Sequence, residues 1–291
     1  MAPDVLRYTA FATDPMGGNP AGIVLDAAGL SDDEMLAIAA DVGFSETAFL
    51  TAPPVDLAAP PGRGFTVRYF SPMAEVAFCG HATVATAVAL AERIGAGDLV
   101  FSTPAGIVPV TVSERDGVLY ATLTSVEPRI SAVAEGDLAE ALAALGWAPG
   151  ELDPTLRPAV ANAGNDHLII GAATRERLAA LDYDFDRLKA CMEKLGLTTV
   201  QLVWRESDTV FYARDPFPVG GVIEDPATGA AAAAFGAFLR AEGYFGASES
   251  AQITLHQGHD MGRPSLLTVD LVAGDPRVRV SGTASPMPAD G

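Results

Sequence analysis

The chain holds two cysteines in 291 residues, Cys79 and Cys191. Two thiols that far apart give neither a disulfide framework nor a CxxC or zinc-ligand spacing. Cations are scarce as well. Eighteen Lys and Arg stand against 37 Asp and Glu, for a formal charge of −19 and a pI near 4.4. Nucleic acids and anionic membranes are recognised by basic patches, so neither is an expected partner. No uncharged run reaches the ~20 residues that cross a bilayer. The opening Met-Ala-Pro-Asp-Val lacks the basic, apolar leader of an exported chain, and the expected location is the cytoplasm. There is no P-loop, no strand-linked GxGxxG and no HExxH. Nothing calls for a nucleotide or a metal, and no cofactor is expected.

Apolar residues are plentiful, at 49% of the chain, enough for two domains or one large one. They are concentrated in the stretch Glu75–Glu92. From Ala82 to Ala91 it carries no charge, and a helix apolar on every side belongs in a core. Its start carries Cys79, Gly80 and His81, where the first turn of a helix leaves backbone N–H groups free. A thiol, an imidazole and bare donors at one helix end suit an anion.

The arrangement recurs. Asp225–Leu239 is a second Ala-rich run, uncharged after Asp225 itself. Each run follows a strand-like segment with an arginine and then proline: Arg68 and Pro72, then Arg214, Pro216 and Pro218. One offset, about half the chain, separates Arg68 from Arg214 and Cys79 from Asp225. A repeat this long implies two related domains, since solenoid units run only ~20–50 residues. The expected division is 1–126 plus 283–291, with a central helix over 80–94, and 127–282, with a central helix over 228–242.

Between these helices the pattern is mostly strands with short turns. Ser31-Asp-Asp-Glu34 is a capping box opening a helix that stops near Gly43. Phe44–Leu50 and Arg63–Phe70 alternate as strands. The polar, Pro-containing Val126–Gly136 reads as the domain crossing, Thr155–Val160 as a strand and Ser285–Gly291 as a frayed end. The expected class is α+β with mostly antiparallel pairing.

Several side chains admit a structural and a chemical reading. Glu46 lies inside an apolar strand between Phe44 and Phe49: either a carboxylate on a solvent face, or an acid/base in an apolar cleft. His81 is either a hydrogen-bonded core histidine or a site residue. Cys79 is either a small hydrophobe or a thiolate favoured by a helix N-terminus. Cys191, on an amphipathic helix, reads as structural. Asp225 is placed at the start of the second central helix, where capping alone would explain it. Arg263, in the loop after Gly258–Gly262, could bind a carboxylate or pair with a surface acid. Asn19, in Gly17-Gly-Asn-Pro20, offers an amide near the first strand.

Together Gly18-Asn-Pro-Ala21, Phe44-Ser-Glu-Thr-Ala-Phe49, Arg68-Tyr-Phe-Ser-Pro72, Glu75-Val-Ala-Phe-Cys-Gly-His-Ala-Thr83, Glu224-Asp-Pro-Ala-Thr-Gly229 and Gln257-Gly…Gly262-Arg-Pro-Ser265 resemble the PhzF-like isomerases of phenazine biosynthesis, within the diaminopimelate epimerase superfamily. The resemblance spans essentially the whole chain. It implies two similar domains, each a curved, largely antiparallel sheet wrapped around a central helix, with the active site in the cleft between them, and a homodimer. It implies Glu46 as acid/base, with His81 and Asp225 lining the pocket. Helix starts near Gly80 and Gly229–Ala230 would hold the carboxylate of a small substrate. Two departures stand out. Ala230 replaces a serine common in the family. Cys79 aligns with one catalytic cysteine of the epimerases, but the partner position falls in Asp225-Pro226 and has no thiol. A cofactor-free isomerase is the favoured reading; a Cys79-dependent racemase and a non-catalytic binder remain open.

Overall fold

The computed structural model describes residues 3–288. The chain forms two compact units, Met1–Thr124 with Ser281–Gly291, and Ser125–Val280.

In the first unit β1 (Leu6–Ala10), β2 (Asn19–Val24), α1 (Asp32–Val42), β3 (Glu46–Thr51) and β4 (Gly64–Phe70) are followed by a two-residue strand β5 (Glu75–Val76), α2 (Gly80–Ile94), β6 (Gly97–Thr103), β7 (Gly106–Arg115) and β8 (Val118–Thr124). The sheet is mixed. β2–β3 and β4–β6 are parallel, and the pairs β1–β2, β3–β4, β4–β5, β6–β7 and β7–β8 are antiparallel. α1 starts at the expected capping box, Ser31 with Glu34, and ends at Gly43 in the left-handed region. Its Met35 and Ala39 pack on Val24, Phe49 and Phe70, covering one face of β3. The other face of β3 is turned to α2, which is buried from His81 to Ala91. Both faces of β3 are therefore covered, and Glu46 at its start is on neither a solvent-facing nor an edge strand.

The second unit repeats the plan. Its elements are β9 (Arg129–Ala132), α3 (Glu135–Leu145), β10 (Ala159–Asn162), β11 (Asp166–Gly171), α4 (Arg175–Ala179), α5 (Phe185–Leu195), β12 (Thr199–Arg205), β13 (Val210–Pro216), the two-residue β14 (Glu224–Asp225), α6 (Gly229–Ala241), β15 (Ala251–Gln257) and β16 (Ser265–Leu271). Here β11–β12 and β13–β15 are parallel, while β10–β11, β12–β13, β13–β14 and β15–β16 are antiparallel. The order of pairings matches that of β1 to β7. α3, α4 and α5 cover one face of the sheet through Leu142, Leu145, Leu178, Leu188 and Met192. α6 covers the other, with Phe235 edge-on to Phe211 at 4.9 Å. Among the described residues no helix is long and apolar enough to cross a membrane.

Three expectations are corrected. Val126–Gly136 is not all crossing: Arg129–Ala132 pairs with β10 as β9, an exposed strand held by backbone bonds, so its polar sequence hid it. Thr155–Val160 is not a strand until Ala159, because Asp153 Oδ1 accepts from both the amide and the hydroxyl of Thr155 and bends the chain. Ser285 is not frayed: Ala284–Pro286 pairs with β1, and Ala289–Gly291 lies outside the described residues.

Two internal details have consequences. Gly236 sits mid-helix in α6, where a Cβ would lie 2.7 Å from Val269 Cγ1 and 3.1 Å from Val278 Cγ1. On the α6-facing side of the second sheet, Thr199 Oγ1 donates to Asp215 Oδ1 at 2.8 Å and accepts from His167 Nδ1 at 2.8 Å. Burial pushes His167 down to about 4, so it is neutral at physiological pH. Burial also pushes the Asp215 carboxyl well above the usual carboxylate range, and the nearby Asp225 and Glu224 charges add to this. Native Asp215 thus keeps a proton that the unfolded chain releases near pH ~4.

Gly236→Ala is expected to destabilise the protein by about 1–3 kcal/mol through overpacking, although alanine is the better helix former by about 1 kcal/mol; urea unfolding reads the sign. For Asp215 the folded pKa lies above the unfolded one, so stability falls as pH rises above the unfolded value, until the native carboxyl itself ionises. Asp215→Asn removes that slope. Its stability relative to wild type should rise between pH 5 and pH 8, by no more than about 1.4 kcal/mol per pH unit, the one-proton limit. Denaturant titrations at the two pH values test this, and a constant difference refutes it.

Candidate active site

The first unit assembles its site at the start of α2. Cys79 is the N-cap, with extended backbone, no side-chain cap and no acidic residue in the first turn. The turn is held from behind. Thr83 donates to the Cys79 carbonyl through its amide, at 3.0 Å, and its hydroxyl, at 2.7 Å. Buried Tyr69 on β4 meets that hydroxyl at 2.6 Å. The amides of Gly80, His81 and Ala82 precede the first intrahelical bond and carry the positive end of the helix dipole.

Glu46 enters from β3. Its Oε2 is 3.4 Å from His81 Nε2, with side-chain exposures of 18% for Glu46 and 7% for His81, and 3.5 Å from Cys79 Sγ. Asn19, buried at the start of β2, points its amide nitrogen at His81 Nδ1 over 3.1 Å. With Nδ1 accepting, the ring N–H is on Nε2, the nitrogen nearer Glu46. Ser45 Oγ lies 3.4 Å from the same nitrogen. The histidine is thus held on one side by an amide and lies within ion-pair distance of the carboxylate on the other.

Glu46, Cys79 and His81 also bring three potential metal-ligand atoms within 4.8 Å of one another. Cys79 Sγ, however, is nearly equidistant from the two ring nitrogens, 3.4 Å from Nδ1 and 3.7 Å from Nε2. The sulfur therefore lies over the ring, not along a nitrogen lone pair. A tetrahedral ion bound by all three residues needs that lone pair directed at it, so the imidazole would have to turn.

In the second unit Asp225 does not open the helix, as the sequence suggests. Its backbone pairs with Asp215 in β14, and Pro226 after it favours an extended residue before it. The N-cap is Thr228, which makes no cap of its own. Its hydroxyl instead donates to Asp225 Oδ2 at 2.5 Å. Gln257 closes the group: Nε2 donates to the Asp225 carbonyl at 2.8 Å and to Thr228 Oγ1 at 3.0 Å, and Oε1 accepts from the Thr228 amide at 3.0 Å. Gly229 and Ala230 form the first turn, again with no acid. Arg263 is carried by a tight turn in which Gly258, at φ 73°, would put a Cβ 2.8 Å from Pro226 O and 2.2 Å from Arg263 O. That packing sets the turn against the Asp225–Pro226 segment. Burial lowers the Arg263 pKa from its ordinary value.

The structure therefore brings Asn19, Glu46, Cys79, Gly80 and His81 together in one unit, and Asp225, Gly229, Ala230 and the Arg263 turn together in the other. Cys191 is buried on α5, in the core formed with α3. Sequence reading passed over Ser45, Thr228 and Gln257, although all three lie in or beside the motifs. A hydroxyl or amide that orients a neighbour has no periodicity to announce it. A cavity of about 580 Å³ lined by Leu25, Leu50, Pro53, Leu57 and Phe65 contains none of these residues; its wall lacks the imidazole, thiol and bare helix end found at α2.

Comparison with known proteins places this geometry. Residues 8–289 match the profile of the family described as phenazine biosynthesis-like protein. An uncharacterized isomerase of Bacillus subtilis, YfhB, is 31% identical over 97% of this chain and 95% of its own length. The trans-2,3-dihydro-3-hydroxyanthranilate isomerase of Pseudomonas fluorescens is 29% identical over 89% of this chain and 86% of its own. The crystal structure of a Bacillus anthracis PhzF-family protein superposes with a TM-score of 0.84, at 28% identity, covering 98% and 96% of the two chains. A hydroxyproline epimerase of Agrobacterium vitis, at 15% identity and a TM-score of 0.63 over 98% and 90%, shares the fold. The chain belongs to the phenazine biosynthesis-like (PhzC/PhzF) family and is an enzyme of the isomerase class.

Proposed function

We propose that the protein is a cofactor-independent isomerase that moves a proton between two carbons of a small unsaturated carboxylate, with Glu46 as the acid/base. The observation that carries this reading is the Glu46 carboxylate 3.4 Å from His81 Nε2 beside the uncapped first turn of α2. Glu46 takes a proton from a carbon adjacent to the unsaturated system. The electron pair left behind delocalises across that system. The Glu46 carboxylic acid then returns the same proton to another carbon, so the base is regenerated and nothing is oxidised or reduced. His81, fixed by Asn19, orients the carboxylate and donates to negative charge as it shifts. The amides at Gly80 and beyond favour the substrate's carboxylate and stabilise charge that develops during transfer. Asp225, Gly229, Ala230 and Arg263 are assigned to substrate orientation and binding. The Pseudomonas fluorescens relative's printed substrate fits the chemical class and is the first probe.

A second reading has its own observation. Cys79 Sγ is 3.5 Å from Glu46, so a thiol stands at the same site, and a racemase would use it with a base on the opposite face of the stereocentre. Such an enzyme would exchange a proton at a stereocentre and would fail without the thiol.

Trans-2,3-dihydro-3-hydroxyanthranilate and a panel of small unsaturated and amino carboxylates, incubated in heavy water and read by mass spectrometry, separate these readings. Glu46→Gln should keep the fold and ligand-induced thermal stabilisation yet lower deuterium incorporation by about 10²–10⁴-fold, the usual worth of a general acid/base. Wild-type exchange by Glu46→Gln would end the assignment. Cys79→Ala should keep turnover; its loss would favour the racemase. Thermal stabilisation by a compound that never gains deuterium would favour a binding protein.

A further inference from the structure

The motif Arg68-Tyr-Phe-Ser-Pro72 has no part in the chemistry above, yet its arginine recurs in the other half with a glutamate partner in the same register. On β4, Arg68 Nε and Nη2 each donate to Glu75 at 2.7 Å. On β13, Arg214 Nε and Nη2 donate to Glu224 at 3.0 and 2.5 Å. Both pairs are bidentate, the geometry that fixes orientation as well as distance. The register is the same. Phe70, two residues after Arg68, is opposite Glu75, and Pro216, two after Arg214, is opposite Glu224. In each unit the glutamate belongs to a two-residue strand, and the central helix opens at the fifth residue beyond it, Gly80 or Gly229.

The chemistry of the two halves has diverged around this common frame. Phe49 is opposite Arg68 and Leu202 is opposite Arg214, so the position of Glu46 in the first unit is that of Thr199 in the second. Cys79, the N-cap before Gly80, corresponds in the structure to Thr228, the N-cap before Gly229, and not to Asp225 as the sequence offset suggests. The acid/base, the thiol and the imidazole are not repeated; the arginine–glutamate fork and the glutamate's distance from the helix start are. We infer that Arg68 and Arg214 are positioning residues, each gripping through its glutamate the short segment that delivers a helix N-terminus and the side chains beside it. A two-residue strand has too few ladder bonds to hold itself, and the fork supplies the missing constraint at its first residue. The forks also differ in a testable way. Arg68 and Glu75 are 26% and 34% exposed, and Arg68 Nη1 also meets Asp32 at 2.6 Å. Arg214 and Glu224 are 9% and 4% exposed, and Arg214 Nη1 donates to the Ala179 carbonyl at 2.6 Å. Losing one partner of the buried pair leaves an uncompensated charge, whereas replacing both with apolar groups does not.

The test needs no substrate, so it stands apart from the proposed reaction. In a Cys191→Ala protein, Cys79 is the sole thiol, and its alkylation by iodoacetamide across pH 6–10 reports its position at the helix start. Arg68→Gln and Glu75→Gln should change the rate at pH 7 by about fivefold or more and move the profile, because thiol reactivity follows the local donor field. Arg68→Lys, which keeps the charge and loses the fork, should fall between them and wild type. Arg115→Gln, an exposed control, should match wild type. In the second unit the double variant Arg214→Met/Glu224→Leu avoids a stranded charge, and amide hydrogen exchange over 225–232 should quicken by about tenfold or more while α3 is unchanged. Wild-type alkylation profiles for Arg68→Gln and Glu75→Gln, or equal effects from Arg115→Gln, overturn the role in the first unit. Unchanged exchange over 225–232, or a uniform rise that includes α3, overturns it in the second.

Discussion

The fold depends on taking an uncharged helix out of water. α2 has no charged side chain from Ala82 to Ala91, and α6 has none from Gly229 to Leu239. Such helices cannot lie on a surface, and each is surrounded by its own sheet. Small residues are what make this possible. Five consecutive alanines, Ala230–Ala234, and Gly236 at the contact with Val269 let strands approach a helix backbone closely. Burial then has a chemical consequence. The helix start lies within folded protein, where its N–H groups are less hydrated and their dipoles act across a lower dielectric. Neither start is capped by a side chain. A structural requirement thus produces a donor array without any dedicated cationic residue.

Much of this was legible because it is periodic or covalently local. Uncharged helical runs, the capping box at Ser31 and alternation in Phe44–Leu50 each state a local preference that the tertiary structure keeps. The resemblance to the isomerase family rested on six short motifs in order, and the family match covers the same chain. What escaped the sequence was of another kind. β9 is a polar exposed strand, and pattern cannot distinguish it from a loop. Asp225 looked like a helix cap because Asp and a following Pro often open helices, whereas here a backbone ladder with Asp215 claims it first and Thr228 becomes the N-cap. Glu46 had two balanced readings because one strand does not reveal how many of its faces are covered. Only the packing of α1 on one side and α2 on the other shows that both faces of β3 are covered.

The buried acids of the second unit show how the same fold treats charge differently at neighbouring positions. Glu224 is buried and keeps a bidentate arginine. Asp215 is buried beside it with a threonine hydroxyl, and a neutral histidine behind that hydroxyl. Arg214 is committed to Glu224 and Ala179, so Asp215 gains no cation from it, and burial favours its uncharged form. One carboxyl has a cationic partner, and the next, without one, is pushed by burial toward its neutral form. Asp225, opposite Asp215 in the ladder, instead receives a hydroxyl from Thr228.

The acidic character of the whole chain sharpens the argument about how a carboxylate could bind. At −19 the protein repels an anion at long range, though salt limits that repulsion to roughly the 8–10 Å Debye length. Capture must therefore be won at short range. The arginines on the strands beside the helix starts are not recruited for it, since Arg68 is shared by Glu75 and Asp32 and Arg214 is spent on Glu224. Those cations build the frame. In the proposed reading the short-range attraction at the first unit's site falls to the backbone amides at the start of α2. Backbone donors suit the proposed reaction for a further reason: they carry no proton that exchanges with the reacting carbon. Glu46 and Cys79, with His81 as donor, are left as the groups beside the α2 start that can handle one.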